Sequence, residues 1–529
     1  MFQNLNKTNL WQGIGFVLIS GVALVLAYPP FNQGWVSWVA LIPVLCALRV
    51  APELGRRPFA CGYLVGLLYF GGTFWWIGHV TAPGIIALVL YISLYPAIWL
   101  WAMERWYAPR CGDGILGNVL FAFVGACLWV ALEWMRGWFL TGFGWNNLGV
   151  ALHANIPFVQ LASLGGVYML SWLIVFVNLC AFRTFQRVYG EISAGRPRGP
   201  LYELSLALVL AALGFAWGWR QTLIKPEGSL RSLRYAAVQA NIPQSGSSSG
   251  YENGVSIEEN LRRHEELSLK ALESKPDLLL WPEATTGLEI FLDDRLGSLV
   301  TRLSRKNEGY FLLGAEDSAP GKMFNAAFLF SPGYTGFSVY HKNKLVIFGE
   351  YVPLAKWLPV LRKLVPFGVD FSAGEKPELL KMPNLSVSLA PLICFEDTQP
   401  DFVRAAAALK PDILVNITND SWFKDSPGAE QHLANAIFRT VENDRPLLRA
   451  ANTGITCEVN QYGVVKARLT DTDLPNGRSL GASGVLNREL RWHSPRQTLY
   501  QRWGDWLPLV SALICLGVSL PRKKTKERA

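Results

Sequence analysis

Three ionisable residues each close a short apolar run. Glu283 follows Asp277-Leu278-Leu279-Leu280-Trp281-Pro282, Lys342 follows Gly336-Phe337-Ser338-Val339-Tyr340-His341, and Cys394 follows Ala390-Pro391-Leu392-Ile393. Runs of this length and composition read as buried strands. A carboxylate, an ammonium group and a thiol, each at a strand terminus, are together suited to acyl transfer. A thiol attacks a carbonyl only as thiolate, so it needs a proton acceptor beside it, and Glu283 is the candidate base. Lys342 offers a fixed positive charge for the oxyanion of a tetrahedral intermediate, joined there by the backbone N–H of Phe395. Glu350, in Phe348-Gly349-Glu350-Tyr351, is the candidate for holding Lys342 or assisting proton transfer. Glu396, two residues past the thiol, shares its side of an extended chain. Taken singly, a strand-end Glu or Lys is more often a solvated rim residue, and a lone Cys in an apolar run more often packs than reacts.

The elements that must position these groups lie between about Leu233 and Leu490, where charges return and strands alternate with amphipathic helices. Strands are predicted at Tyr235–Ala240, Leu278–Trp281, Phe311–Ala315, Ala326–Phe330, Phe337–His341, Val387–Ile393, Ile413–Ile417 and Ile455–Val459. Helices are predicted at Ile257–Leu272, Asp294–Arg305, Pro400–Leu409 and Ala429–Val441. This density of mixed elements implies a layered α/β sandwich.

Outside that segment the chain changes class. Of its 529 residues 51% are hydrophobic and only 17% charged, too apolar for an ordinary soluble protein. Seven long apolar runs centre on Ile19, Ala40, Leu67, Leu90, Val124, Leu173 and Leu208, and an eighth covers Trp506–Leu520. Pro43 interrupts the second and Glu203 opens the seventh. A spanning helix needs about 20 apolar residues, so a polytopic α-helical membrane domain of about eight spans is expected. The resulting division is 1–224 for seven spans, 225–500 for an external catalytic domain, and 501–529 for the last span and a basic tail. Lys7 is the one basic residue before the first run, and no small-residue cleavage site follows Tyr28-Pro29-Pro30, which predicts an uncleaved anchor. Basic residues fall in alternate links: Arg49, Arg56 and Arg57; Arg105 and Arg110; Arg183, Arg187, Arg196 and Arg198; and Arg522 to Arg528 in the tail. Because Lys and Arg stay on the cytoplasmic side, both termini are expected inside and the large segment outside. These loops account for most of the +9 formal charge. No basic stripe interleaved with aromatics is left to bind nucleic acid. Several of the 21 Trp, among them Trp75, Trp76, Trp99, Trp101 and Trp145, fall near span ends, as interfacial rings do. Two of the eight cysteines, Cys394 and Cys457, lie in the external segment, where pairing would silence a nucleophile.

The blocks Trp281-Pro282-Glu283, Tyr340-x-Lys342 with Gly349-Glu350, and Ile393-Cys394-Phe395-Glu396 resemble the three catalytic blocks of the nitrilase superfamily in order and local context. Further matching blocks are Val238 to Gln244, Asn416 to Phe423, and Arg445-Pro446 with Arg449. Tyr28-Pro29-Pro30-Phe31 and Glu133 to Phe143 match as well, and with its spans the whole chain resembles the apolipoprotein N-acyltransferase family. The resemblance implies an αββα sandwich with a Glu283-Lys342-Cys394 triad, and a two-step, ping-pong transfer. Cys394 would take an acyl chain from a phospholipid, typically phosphatidylethanolamine, as a thioester. The α-amine of a diacylglyceryl-cysteine apolipoprotein would then accept it. It also implies a bacterial inner-membrane location with the catalytic domain on the periplasmic side. No metal or organic cofactor is expected, and no zinc-type spacing of Cys or His is present.

Residues 354–371 are apolar with scattered basic groups and are expected to lie at headgroup level as a lid or acyl-chain guide, burying Trp357 and Phe367. Trp422 is the third candidate substrate contact. The chain departs from the family pattern at Phe395, where Tyr is common, and at Ser245–Gly250, where a Trp often follows. Three other readings stay open on sequence: a tethered amidase with water as acceptor, a Cys394–His432 dyad, and an inactive binding module.

Overall fold

The computed structural model describes residues 8–112, 114–224, 230–243, 255–284, 286–352, 370–470 and 480–520. The chain forms two compact units. One lies within Met1–Trp75, Ile86–Gln221 and Asp505–Ala529, the other within Trp76–Ile85 and Thr222–Gly504.

The first unit is helical. Among the described residues six helices are long and apolar enough to cross a membrane: Asn9–Leu26, Pro58–His79, Ala82–Cys111, Gly114–Arg136, Val167–Ser193 and Tyr202–Leu223. The expected count of about eight included two runs that fall short by this measure. The run around Ala40 is divided between a 3-10 turn at Gly34–Trp38 and a helix at Ile42–Val50, with Pro43 in its first turn. The last described helix, Trp506–Ser519, has 14 residues. Several polar groups buried in this unit are hydrogen-bonded to backbone or to other side chains, as an apolar surround favours. Asn178 accepts from the Leu41 N–H at 2.9 Å and donates to the Ser37 and Ile174 carbonyls. Glu133 and Arg136 are each tied to the segment that follows their helix. Glu133 Oε1 accepts from Leu148 N at 2.7 Å, and Arg136 Nη2 donates to Asn147 Oδ1 at 2.7 Å.

The second unit is built on two six-stranded sheets. Its strands are β1 (Leu230–Gln239), β2 (Leu278–Leu280), β3 (Tyr310–Ala319), β4 (Lys322–Phe330), β5 (Phe337–His341), β6 (Leu380–Met382), β7 (Val387–Ile393), β8 (Ile413–Thr418), β9 (Leu447–Ala451), β10 (Cys457–Val459), β11 (Val465–Arg468) and β12 (Gly484–His493). One sheet runs β12-β1-β2-β3-β4-β5 and the other β11-β10-β9-β8-β7-β6. In each, three central strands are parallel and the flanking ones antiparallel. The parallel strands β2, β8 and β9 are buried along their whole length, which is why their sequences show no apolar–polar alternation. Helices Ile257–Leu272 and Asp294–Lys306 send Leu261, Leu296, Leu299, Val300 and Leu303 into a core shared with Val238, Trp281, Phe311 and Phe328 of the first sheet. Helices Pro400–Ala408 and Gly428–Asn443 belong with the second sheet. The expected αββα sandwich is thus present. Strands β6, β9, β11 and β12 go beyond those predicted.

The sheet order also decides the fate of the external cysteines. β7, which ends just before Cys394, and β10, which begins at Cys457, are three strands apart, about 14 Å at normal strand spacing. That exceeds disulfide reach, and both cysteines are free.

One glycine sets how closely the strand ends approach. A Cβ on Gly314 of β3 would lie 2.6 Å from the Pro282 carbonyl oxygen and 2.7 Å from Glu283 Cα, both backbone atoms. Gly314→Ala must therefore push the Glu283 segment away. A cost of about 1–3 kcal/mol is expected, read as a lowered midpoint in thermal or denaturant unfolding; a native-like midpoint would contradict the tight approach.

Candidate active site

Glu283 stands three residues past β2, and Lys342 follows β5 directly; both come from the first sheet. Cys394 follows β7 of the second sheet, so the site lies where the ends of the two sheets face each other. Lys342 is 1% exposed, and Glu283 6%. The Lys342 ammonium group donates to Glu283 Oε1 at 3.0 Å and to Glu350 Oε1 at 2.8 Å. Burial pulls the Lys342 pKa down, but Glu283, Glu350 and the Cys394 thiol outweigh it and hold the pKa well above its ordinary value. Lys342 is therefore a fixed cation, the state an oxyanion needs.

The two carboxylates are held by further donors. Asn419 N donates to Glu283 Oε2 at 2.9 Å, and Val346 N to Glu350 Oε2 at 2.8 Å. Asn325, in β4, reaches both acids from one amide: its Nδ2 lies 2.8 Å from Glu283 Oε1 and 2.9 Å from Glu350 Oε1. The Asn325 backbone carbonyl accepts from Lys342 N at 2.8 Å. Sequence reasoning missed Asn325; the signal was a single amide side chain inside an otherwise apolar strand, Phe324 to Phe330.

Cys394 has φ +52°, the left-handed region, and opens a 3-10 turn, Cys394–Thr398. For a non-glycine residue this costs about 1–2 kcal/mol, so the surroundings must impose it. The turn overturns one expectation: the chain after the thiol is not extended, and Glu396 does not lie beside it in that way. Glu396 is wholly buried and folds back. It accepts from Ile393 N at 2.8 Å, Asn343 N at 2.6 Å, Lys344 N at 3.0 Å and the Tyr340 hydroxyl at 2.9 Å. One carboxylate thereby clips the Cys394 turn to the loop that carries Lys342. Burial pushes Glu396 up to about 7, against those backbone donors and Lys342.

His432 is buried in the helix Gly428–Asn443. Its Nε2 meets Asp397 Oδ1 at 2.9 Å and the carbonyl oxygen of Cys394 at 3.3 Å, and its Nδ1 meets Asp420 Oδ1 at 2.9 Å. Both nitrogens are thus engaged away from the thiol, which removes the ground for a Cys394–His432 dyad. Trp422 is half-buried in the 3-10 turn Asp420–Phe423. Trp357 and Phe367, with residues 353–369 as a whole, lie outside the described residues.

Burial and the Glu283 carboxylate push the Cys394 thiol well above its ordinary value, while Lys342 and a hydrogen bond with Thr418 pull the other way. The resting group is therefore a thiol, and its proton must leave during attack. Alkylation of Cys394 by iodoacetamide, followed by peptide mass, should keep rising with pH through 9. In Glu283→Gln the carboxylate that raises the thiol is gone while Lys342 remains, so the profile should move to lower pH. A plateau below about pH 8 in the native protein, or the same profile in the variant, would contradict this balance.

Two family models match the chain: the apolipoprotein N-acyltransferase N-terminal domain over residues 20–180, and carbon–nitrogen hydrolase over residues 234–479. The apolipoprotein N-acyltransferase of Geobacter metallireducens is 33% identical over 96% of this chain and 95% of its own length. That of Azotobacter vinelandii is 32% identical over 98% and 97%, and that of Pseudomonas putida 30% over 95% and 96%. With matches of this identity along nearly the whole of both chains, and with its nitrilase-like sandwich, the chain belongs to the apolipoprotein N-acyltransferase family.

Proposed function

We propose that the chain moves an acyl chain from a phospholipid, phosphatidylethanolamine in the first place, to the N-terminal amine of diacylglyceryl-cysteine apolipoproteins, through a Cys394 thioester. The observation that carries the reading is the buried Lys342 between Glu283 and Glu350, with the Cys394 thiol coupled to both Glu283 and Lys342. In the first step Glu283 takes the thiol proton as Sγ attacks the donor's ester carbonyl. The oxyanion forms against Lys342 and the Phe395 N–H. Collapse breaks the C–O bond, Glu283 returns the proton to the departing lysophospholipid oxygen, and the thioester remains. In the second step the lipoprotein amine attacks, loses a proton to Glu283, and expels the Cys394 sulfur, which regains it. Glu350 fixes Lys342, and Glu396 fixes the turn. Trp357, Phe367 and Trp422 provide apolar contacts for acyl chains. The catalytic domain, about 225–500, works on the periplasmic side of the inner membrane, with the termini cytoplasmic; the distribution of Lys and Arg among the short links supports this orientation.

Intact mass after incubation with phosphatidylethanolamine, beside Cys394→Ala and Glu283→Gln, tests the reading. An acyl-sized, hydroxylamine-sensitive adduct on the native protein and on neither variant is expected. No adduct, with hydrolysis of small amides instead, would favour the tethered-amidase alternative.

A further inference from the structure

Behind the nucleophile lies a buried polar cluster for which the steps above have no use. Asp397 comes from the turn after β7, Asp420 from the turn after β8, His432 from the helix Gly428–Asn443, and Arg449 from β9. The side chains of all four are fully buried. Arg449 Nη1 donates to Asp397 Oδ2 at 2.6 Å and Nη2 to Asp420 Oδ2 at 3.1 Å, while the two ring nitrogens of His432 take the other oxygen of each aspartate at 2.9 Å. Each ring nitrogen faces a carboxylate oxygen, and Nδ1 also lies 2.8 Å from Arg449 Nη2; two carboxylates against one imidazole favour its protonated form, so that two anions meet two cations. Burial and Arg449 push the imidazole down, but the two aspartates hold it up at about 9. Charges buried this deeply are tolerated only when paired.

The cluster reaches the backbone of the nucleophile. The carbonyl oxygen of Cys394 accepts from His432 Nε2 at 3.3 Å and from Asn416 Nδ2 at 3.0 Å, and Asn416 Oδ1 is held by Arg449 Nη1 at 3.0 Å. The same residue, Cys394, carries the left-handed backbone. Bringing φ of Cys394 to an ordinary value would swing that carbonyl off both donors, leaving His432 Nε2 with Asp397 alone and Asn416 Nδ2 with only the Leu392 carbonyl at 3.4 Å, a loss of two bonds that opposes relaxation.

We propose that His432 and Asn416 are positioning residues for acyl transfer, gripping the Cys394 carbonyl oxygen from behind so that the thiol and the Phe395 N–H keep their aim, with Asp397, Asp420 and Arg449 holding the grip. The inference rests on Cys394 as the acylated residue and is independent of the donor.

The test is the burst of p-nitrophenolate from p-nitrophenyl butyrate, in which Sγ takes the butyryl group, p-nitrophenolate leaves and Glu283 receives the thiol proton. It needs no lipid, so failure of the phospholipid reading leaves it intact. In His432→Leu/Asp397→Asn one cation and one anion are removed together, so the charge stays balanced and only the donors are lost. The burst rate constant should fall about tenfold or more, with the KM for the ester within about twofold and the Tm near native. His432→Gln/Asp397→Asn, which restores an N–H donor with the same charge balance, should regain most of the rate. A merely structural cluster would lower Tm and burst amplitude and leave the rate constant of folded enzyme unchanged, and that result overturns the proposal. Should the His432→Leu variant not fold, Asn416→Val decides, since it removes the other donor to the same oxygen: a similar loss of rate supports the grip, and a native rate overturns it. No burst from the native protein would overturn the grip together with the Cys394 assignment.

Discussion

An ammonium group taken out of water without partners costs several kcal/mol and loses its proton instead. Lys342 is almost wholly buried, yet it stays charged because two carboxylates lie within 3.0 Å of its nitrogen. That requirement organises the rest. Two acids sharing one cation repel each other, and the Asn325 amide between them, with the N–H groups of Asn419 and Val346, absorbs the excess. β4 must therefore lie beside β5, and the loop after β8 must cross to the end of β2. The αββα sandwich is the arrangement that brings those strand ends to one place.

The two halves of the site are also joined covalently to different sheets, so their registry needs fixing. Glu396 does this from the second sheet, taking N–H groups on both sides of the divide: Ile393 before the nucleophile, Asn343 and Lys344 after the lysine. A carboxylate accepting several backbone donors is a rigid joint. This bridging geometry is something its position in sequence did not disclose.

What could be read from residue order was the local pattern. β5 and β7 were legible to the residue, Phe337–His341 and Val387–Ile393, because short runs rich in apolar residues and closed by polar residues or glycine leave little freedom. The strand-end placement of Glu283, Lys342 and Cys394 follows from the same runs. β9 was not legible: Leu447-Leu448-Arg449-Ala450-Ala451 is buried on both faces, so it lacks alternation, and it carries an arginine whose partners are 29 and 52 residues away. The left-handed backbone at Cys394 has no local signature either, since cysteine does not favour it; contacts from three distant elements impose it. In the helical unit, hydropathy located the apolar runs, but whether a run forms one long helix depends on breaks such as the one before Ile42. Composition averages over such breaks.

Charge balance then explains why the nucleophile is kept as a thiol. Around Lys342 two carboxylates meet one cation, leaving an excess negative charge next to Cys394, whereas the cluster behind it is neutral, two aspartates against His432 and Arg449. Had the rear cluster carried net positive charge, it would have drawn the thiol toward thiolate and toward oxidation, since susceptibility follows thiolate character. A neutral rear and an anionic front do the opposite. They hold the proton on sulfur until a carbonyl arrives; in the mechanism proposed above, Glu283 is then the base that removes it and Lys342 the charge that receives the oxyanion. On that mechanism the cost of keeping the sulfur unreactive at rest is recovered within the attack itself, because the carboxylate that raises the thiol is also the base that takes its proton.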